Sequence, residues 1–134
     1  MSNSQAIGVA YSDPEFTTCY ATQEIGYSTA AQGTVTQATD KGTGVTLNKS
    51  AGRITMNGAA LAGSTAVSFT LTNSLISTND TIIVCISGGG TAAAYTTYVS
   101  SMTAGSAVIT LRNLTASTSL SEAVIINYAI IHGQ

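Results

Sequence analysis

The sequence predicts an all-β domain: an antiparallel β-sandwich, jelly-roll-like, of about eight strands, with an extended N-terminal arm. Three observations predict it. From Gly33 onward, short runs of alternating apolar and polar residues recur at a spacing of roughly 8–12 residues, separated by turn residues. These runs are rich in Val, Ile and Thr, with 22 threonines in the chain, and a branched β-carbon suits a pleated, half-buried surface. No stretch keeps a helical period. The one place for a single helical turn, Asn57 to Ser64, is too short to nucleate a helix.

Residues 1–32 differ from the rest. Gly, Ser, Thr and Gln are scattered among single aromatics with no lasting period of 2 or 3.6, which describes an arm outside the sandwich domain, residues 33–134. Asp13-Pro14-Glu15 should turn, because proline fixes φ and Asp favours the position before it. Four of the eight aromatics, Tyr11, Phe16, Tyr20 and Tyr27, fall in this quarter of the chain. Two uses are open to them, and both can hold at once. They can pack back onto the chain's own β-domain, or anchor the arm on another protein, since Tyr and Phe are enriched at the centres of interfaces.

The strands then follow in order. Val35 and its neighbours come first, then Val45 and Leu47, then Ile54 and Met56 after a turn at Ser50-Ala51-Gly52. In Ala66 to Asn73, Val67, Phe69 and Leu71 face one way and Ser68, Thr70 and Thr72 the other, so one face is wet. Asp80 to Ser87 carries Ile82, Val84 and Ile86 on one face and Ile83 and Cys85 on the other. Apolar on both faces, it is expected at the centre of its sheet. Gly88-Gly89-Gly90 ends it as a hairpin loop. Tyr95, Thr97 and Val99 oppose Tyr98 and Met102, Ala104-Gly105 turns, and Ser106 to Leu114 sets Ala107, Ile109 and Leu111 against Val108, Thr110 and Arg112.

After the loop Thr115–Ser121 comes the closing strand, Glu122 to His132, with Asn127 the single strongly polar residue inside it. Its even positions Val124, Ile126, Tyr128 and Ile130 line one side and its odd positions Ala123, Ile125, Ala129 and Ile131 the other. A solvated surface strand does not have this pattern. One face belongs to the core, and the other needs a cover, from this chain or from a neighbouring subunit.

Composition removes several function classes. Charged residues are 7% of the chain, against roughly 25% in an ordinary soluble domain, so the surface is built largely from the hydroxyls of Thr and Ser. A formal charge of −2, with Lys41, Lys49, Arg53 and Arg112 the only cations, leaves no basic patch for a run of phosphates, and no nucleic-acid partner is expected. No window approaches the ~18 apolar residues of a membrane span. The opening residues lack the positive and apolar regions of a signal peptide, so synthesis in a cytoplasm is expected. Cys19 and Cys85 form no C-x-x-C pair, and reduced thiols are expected of them.

No catalytic constellation emerges. A phosphate cradle at Gly88-Gly89-Gly90 would need a helix after it, where a strand pattern follows. Residues 44–50 end in Lys-Ser but lack the glycine that a nucleotide loop places beside the lysine. The acids Asp13, Glu15, Glu24, Asp40, Asp80 and Glu122 are dispersed, and no tryptophan supplies a sugar platform. A serine triad would have to recruit the single histidine, His132, without a nucleophile elbow. His132 reads as a strand-end or interface residue, with a metal site conceivable only where three chains converge. The expectation is no enzyme, no cofactor and no metal.

The words Gly-Thr-Val-Thr-Gln-Ala-Thr at 33–39, Gly-Val-Thr-Leu-Asn-Lys at 44–49, Arg-Ile-Thr-Met-Asn at 53–57, Val-Ser-Phe-Thr-Leu-Thr-Asn-Ser at 67–74 and Leu-Ser-Glu-Ala at 120–123 resemble a β-domain that recurs in virion structural proteins of tailed bacteriophages. These include head-decoration and fibre-like proteins. The resemblance spans about three-quarters of the chain and implies a virion structural role without catalytic residues. The resulting expectation is a capsid decoration (cement) protein, made in the host cytoplasm and carried on the capsid surface. It would form a homotrimer through Ile125, Asn127, Ala129 and Ile131 and bind the major capsid protein through Tyr11, Phe16, Tyr20 and Tyr27. The alternative is a tail-fibre or head-fibre module that binds a host receptor or glycan through the loops Ser87–Ala93 and Thr115–Ser121.

Overall fold

The structure, a computed structural model, describes residues 15–133. After a short 3-10 turn at Thr29–Ala31, eight strands follow: β1 Gln32–Thr36, β2 Val45–Thr46, β3 Ala51–Thr55, β4 Ala66–Thr72, β5 Thr81–Gly88, β6 Tyr95–Thr103, β7 Ser106–Asn113 and β8 Ile125–Ile131. They form two four-stranded sheets, β1-β3-β8-β5 and β2-β4-β7-β6. The two sheets enclose one core, in which Ile54, Leu71, Ile109, Leu111, Val124, Ile126 and Ile130 are fully buried. The all-β sandwich read from the alternating pattern is the fold. Helix is absent from residues 57–64, which instead run as a loop with a bridge from Leu61 to Leu120.

Both sheets are mixed, not wholly antiparallel. β1 pairs with β3 and β2 with β4 in parallel, while the remaining pairs are antiparallel. The cause is the route of the chain: β1, β2 and β3 alternate between sheets, so each strand reaches its sheet-mate by a crossover, the connection that parallel pairing requires. The residues Ser50-Ala51-Gly52, read as a turn, instead open β3. Gly52 sits opposite Tyr128, and a β-carbon there would lie 2.6 Å from both Tyr128 Cε1 and Leu47 Cδ2. The glycine marks a close approach inside a strand, not a bend.

The doubly apolar strand β5 lies at a sheet edge, not at the centre, and only its inward residues meet the core. The glycine run after it is no hairpin, because β5 and β6 belong to different sheets. Gly89, at φ +73°, carries the chain across the sandwich where a β-carbon would collide with the carbonyl of Ala123. The edges resist pairing with other chains. β5 and β6 each carry a register break, near Ile86/Gly88 and Val99/Ser101, and β1 and β2 are short. Bulges and short strands are how natural sheets block edge-to-edge association.

Candidate interaction surfaces

The closing strand divides as its alternation requires. Ile126, Tyr128 and Ile130 point into the core, and Ile125, Asn127, Ala129 and Ile131 lie on the outer face of their sheet. Tyr128 is locked from both ends: its ring covers Gly52, and its hydroxyl donates to the carbonyls of Lys49 (3.0 Å) and Leu47 (3.2 Å) while accepting from Asn73 Nδ2 (3.3 Å). Burial pushes its phenol up to about 12. The inward face is therefore rigid, and it presents the outward face on a fixed frame.

Strand register assembles that outward face from four strands. Ala129 lies between Ala51 and Ile83, Asn127 between Arg53 and Cys85, and Ile131 beside Thr81. Gln32 and Thr34 of β1 extend the rows beyond Ala51 and Arg53. Ile83 and Ile131 are 53% and 54% exposed, and Cys85 is exposed. Among the described residues Arg53 is the only charged one on this face, and no carboxylate of theirs lies within salt-bridge distance of it. Sequence reasoning finds the β8 half of the face but not Ala51, Arg53, Ile83 and Cys85. Their outward alternation is visible in the chain, but which strand they lie beside is not.

Among the described residues, the arm reaches this face around Tyr27. Tyr27 is half-exposed, and its hydroxyl donates to the carbonyl of Ile130, whose amide is in turn satisfied by Ser50 (2.9 Å). Gln32 Nε2 donates to the carbonyl of Tyr27 at 2.9 Å. Gly26, Tyr27 and Thr29 thereby wall a groove of about 660 Å³ whose floor includes Arg53, Asn127 and Ala129. Upstream of this root, residues 15–26 leave the sandwich. Ile25, Tyr20 and Phe16 are 87%, 91% and 68% exposed, and among the described residues none from 15 to 26 hydrogen-bonds to the β-domain. The structure thus brings Tyr27 to the outer face with Asn127 and Ala129, and leaves Phe16 and Tyr20 away from it. Tyr11 lies outside the described residues.

A second cluster closes one end of the sandwich. Lys41, only 3% exposed, donates its ammonium to the main-chain carbonyls of Asn57 and Glu122. Burial lowers its pKa, while the nearby Glu122 charge opposes the shift. The Glu122 carboxylate accepts from Thr91 N (3.0 Å) and Thr91 Oγ1 (2.8 Å), which holds it below the usual carboxylate range. Burial pushes the neighbouring Tyr95 phenol up to about 12. The loops Ser87–Ala93 and Thr115–Ser121 both reach this end, since Thr91 binds Glu122 and Leu114 N donates to Ala94 O at 2.8 Å. A lysine inside a Thr-rich loop carries no sign of burial in one dimension, because the carbonyls that receive it come from distant segments.

His132 directly follows β8, with Nδ1 3.1 Å from Asp80 Oδ1. Asp80 also accepts from Ser77 N and Oγ and from Gly133 N, which brings its pKa down to about 2. This cluster staples the end of β8 to the start of β5. Among the described residues no three His, Cys, Asp or Glu side chains converge as metal ligands, and no helix is long and apolar enough to cross a membrane. No protein-family model, curated protein or solved structure matches the chain.

Proposed function

We propose that this chain is a homo-oligomeric virion structural protein, a decoration (cement) protein of a phage head that binds the major capsid protein and stabilises the shell. The observation that carries the reading is a pair of surfaces on one small domain that the described residues leave uncovered: the four-stranded outer face bearing Ile83, Ala129 and Ile131, and the arm bearing Phe16, Tyr20 and Ile25. Exposed apolar surface of this kind marks contact with other proteins. In this reading Ile125, Asn127, Ala129 and Ile131 join three copies, and Tyr11, Phe16 and Tyr20 reach the capsid while Tyr27 roots the arm. The mechanism is mechanical. Burial of apolar area, at about 25 cal/mol per Å², links neighbouring capsomers against internal pressure. The phage resemblance of residues 33–133 supplies the setting.

The test is co-sedimentation of the purified protein with undecorated phage heads and, in parallel, with host cells. Binding to heads, lost on removal of residues 1–25 from a still-folded chain, is the expected result. Binding to cells and not to heads would instead favour a fibre-type module that recognises a receptor or glycan. That second reading is supported by the convergence of the loops Ser87–Ala93 and Thr115–Ser121 at one end of the sandwich.

A further inference from the structure

The outer face of the β1-β3-β8-β5 sheet is chemically specific. Among the described residues its only charge is Arg53, set in a row with Asn127 and Cys85 across three adjacent strands. The arm has the opposite character. It carries Asp13, Glu15 and Glu24, and no lysine or arginine precedes Lys41. Within its own chain the described part of the arm, residues 15–26, does not lie along this row: the arm is rooted at Tyr27, and Ile25 and Tyr20 are almost wholly exposed. The sheet edges, bulged or short, offer little to an incoming strand, so a neighbour would meet a sheet face rather than an edge.

We infer that in the oligomer the segment Cys19–Ile25 of one copy's arm crosses this face of the next copy, with Glu24 on Arg53 and Cys19 over Cys85. The inference rests on the oligomeric reading above and names what occupies the face. The spans agree. Arg53 and Cys85 are two strand spacings apart, about 10 Å, and five extended residues from Cys19 to Glu24 reach at most about 17 Å. The arm bends at Thr22–Gln23, so Cys19 and Glu24 can address one surface despite their odd separation. Tyr20, next to Cys19, then points away from the sheet and stays free for the capsid. Such an arm-to-face contact is heterologous, and it closes into a ring when the rotation between copies permits.

Two measurements on the full-length protein test this. The first is oxidation with diamide, which takes one hydrogen from each of two thiols and leaves a disulfide. It should give covalent multimers whose linking peptide is Cys19–Cys85, lost in Cys19→Ser and equally in Cys85→Ser. The second is self-association by analytical ultracentrifugation. Glu24→Arg or Arg53→Glu should each weaken it at least about tenfold, and the double reversal should return it to within about threefold of the parent. A parent chain that stays monomeric, a Cys19–Cys85 link at monomer mass, links only between like cysteines, or a double reversal that restores nothing would each overturn the arm exchange. Head binding is scored separately, so arm exchange without head binding sinks only the decoration reading, and the converse sinks only the exchange.

Discussion

Gly52→Ala tests whether Tyr128 is locked as the structure describes. The new β-carbon would lie 2.6 Å from Leu47 Cδ2 and Tyr128 Cε1 and 3.0 Å from Tyr128 Cζ, where carbon contacts normally sit at about 3.5–4.0 Å. Each neighbour must therefore retreat by about 1 Å. Leu47 is only partly buried and can rotate. Tyr128 is 3% exposed and cannot move without loosening its hydroxyl from the carbonyls of Lys49 and Leu47. Overpacking costs about 1–3 kcal/mol and a weakened buried hydrogen bond about 0.5–1.5 kcal/mol. Reduced freedom of the unfolded chain offsets about 0.4–1 kcal/mol. The net loss is about 2 kcal/mol. With an unfolding entropy of about 2.1 cal/mol/K per residue over 134 residues, Tm should fall by about 7 °C, read by circular dichroism with urea unfolding alongside. Tyr128→Phe alone should cost about 1 kcal/mol, and clearly less in the Gly52→Ala background, where the hydroxyl has already been displaced. A Gly52→Ala protein melting within about 2 °C of the parent, or strictly additive losses in the cycle, would refute the packing described for this strand.

Two further outcomes follow from the same frame. Asp80 is held down to about 2 by its donors, below the ~3.9 of an unfolded aspartate, so its contribution to stability is complete above about pH 4 and disappears as pH falls towards 2. Asp80→Asn should accordingly flatten the acid limb of the stability profile between pH 4 and 2, and an unchanged limb would show that this carboxylate does not hold β8 to β5. On the two-faced strand, Ile126→Ala should cost about 2–5 kcal/mol because the residue is fully buried. Ile131→Ala, measured in dilute monomer, should stay within about 0.5 kcal/mol. Equal losses at the two positions would mean that the outer face is covered within the chain.

The contrast between Ile126 and Ile131 is legible in the chain itself, as is the alternation of Val67, Phe69 and Leu71 with their polar neighbours. Side-chain direction along a strand is a local property, fixed by the alternation of β-carbons. The position of β5 is not legible in the same way. Ile82 to Ile86 is apolar on both faces, which usually marks a central strand, yet β5 is an edge strand whose outward Ile83 and Cys85 are left uncovered. Gly52 is ambiguous for a related reason: a glycine that opens a turn and a glycine that makes room for a tyrosine 76 positions later look the same in one dimension.

Residue order alone dictates an all-β domain of eight short strands, a neutral hydroxyl-rich surface, an arm of different character, and a closing strand with one face too many for a single core. Other features exist only in the folded chain. There β1 and β3 run parallel, Lys41 is buried under the carbonyls of Asn57 and Glu122, Tyr27 roots the arm on Ile130, and Arg53, Asn127 and Cys85 share a row. The division has a physical basis. Alternation and composition are set residue by residue, whereas strand partners, register and the burial of a charge depend on contacts between segments distant in sequence. Those contacts are fixed only when the whole core closes at once.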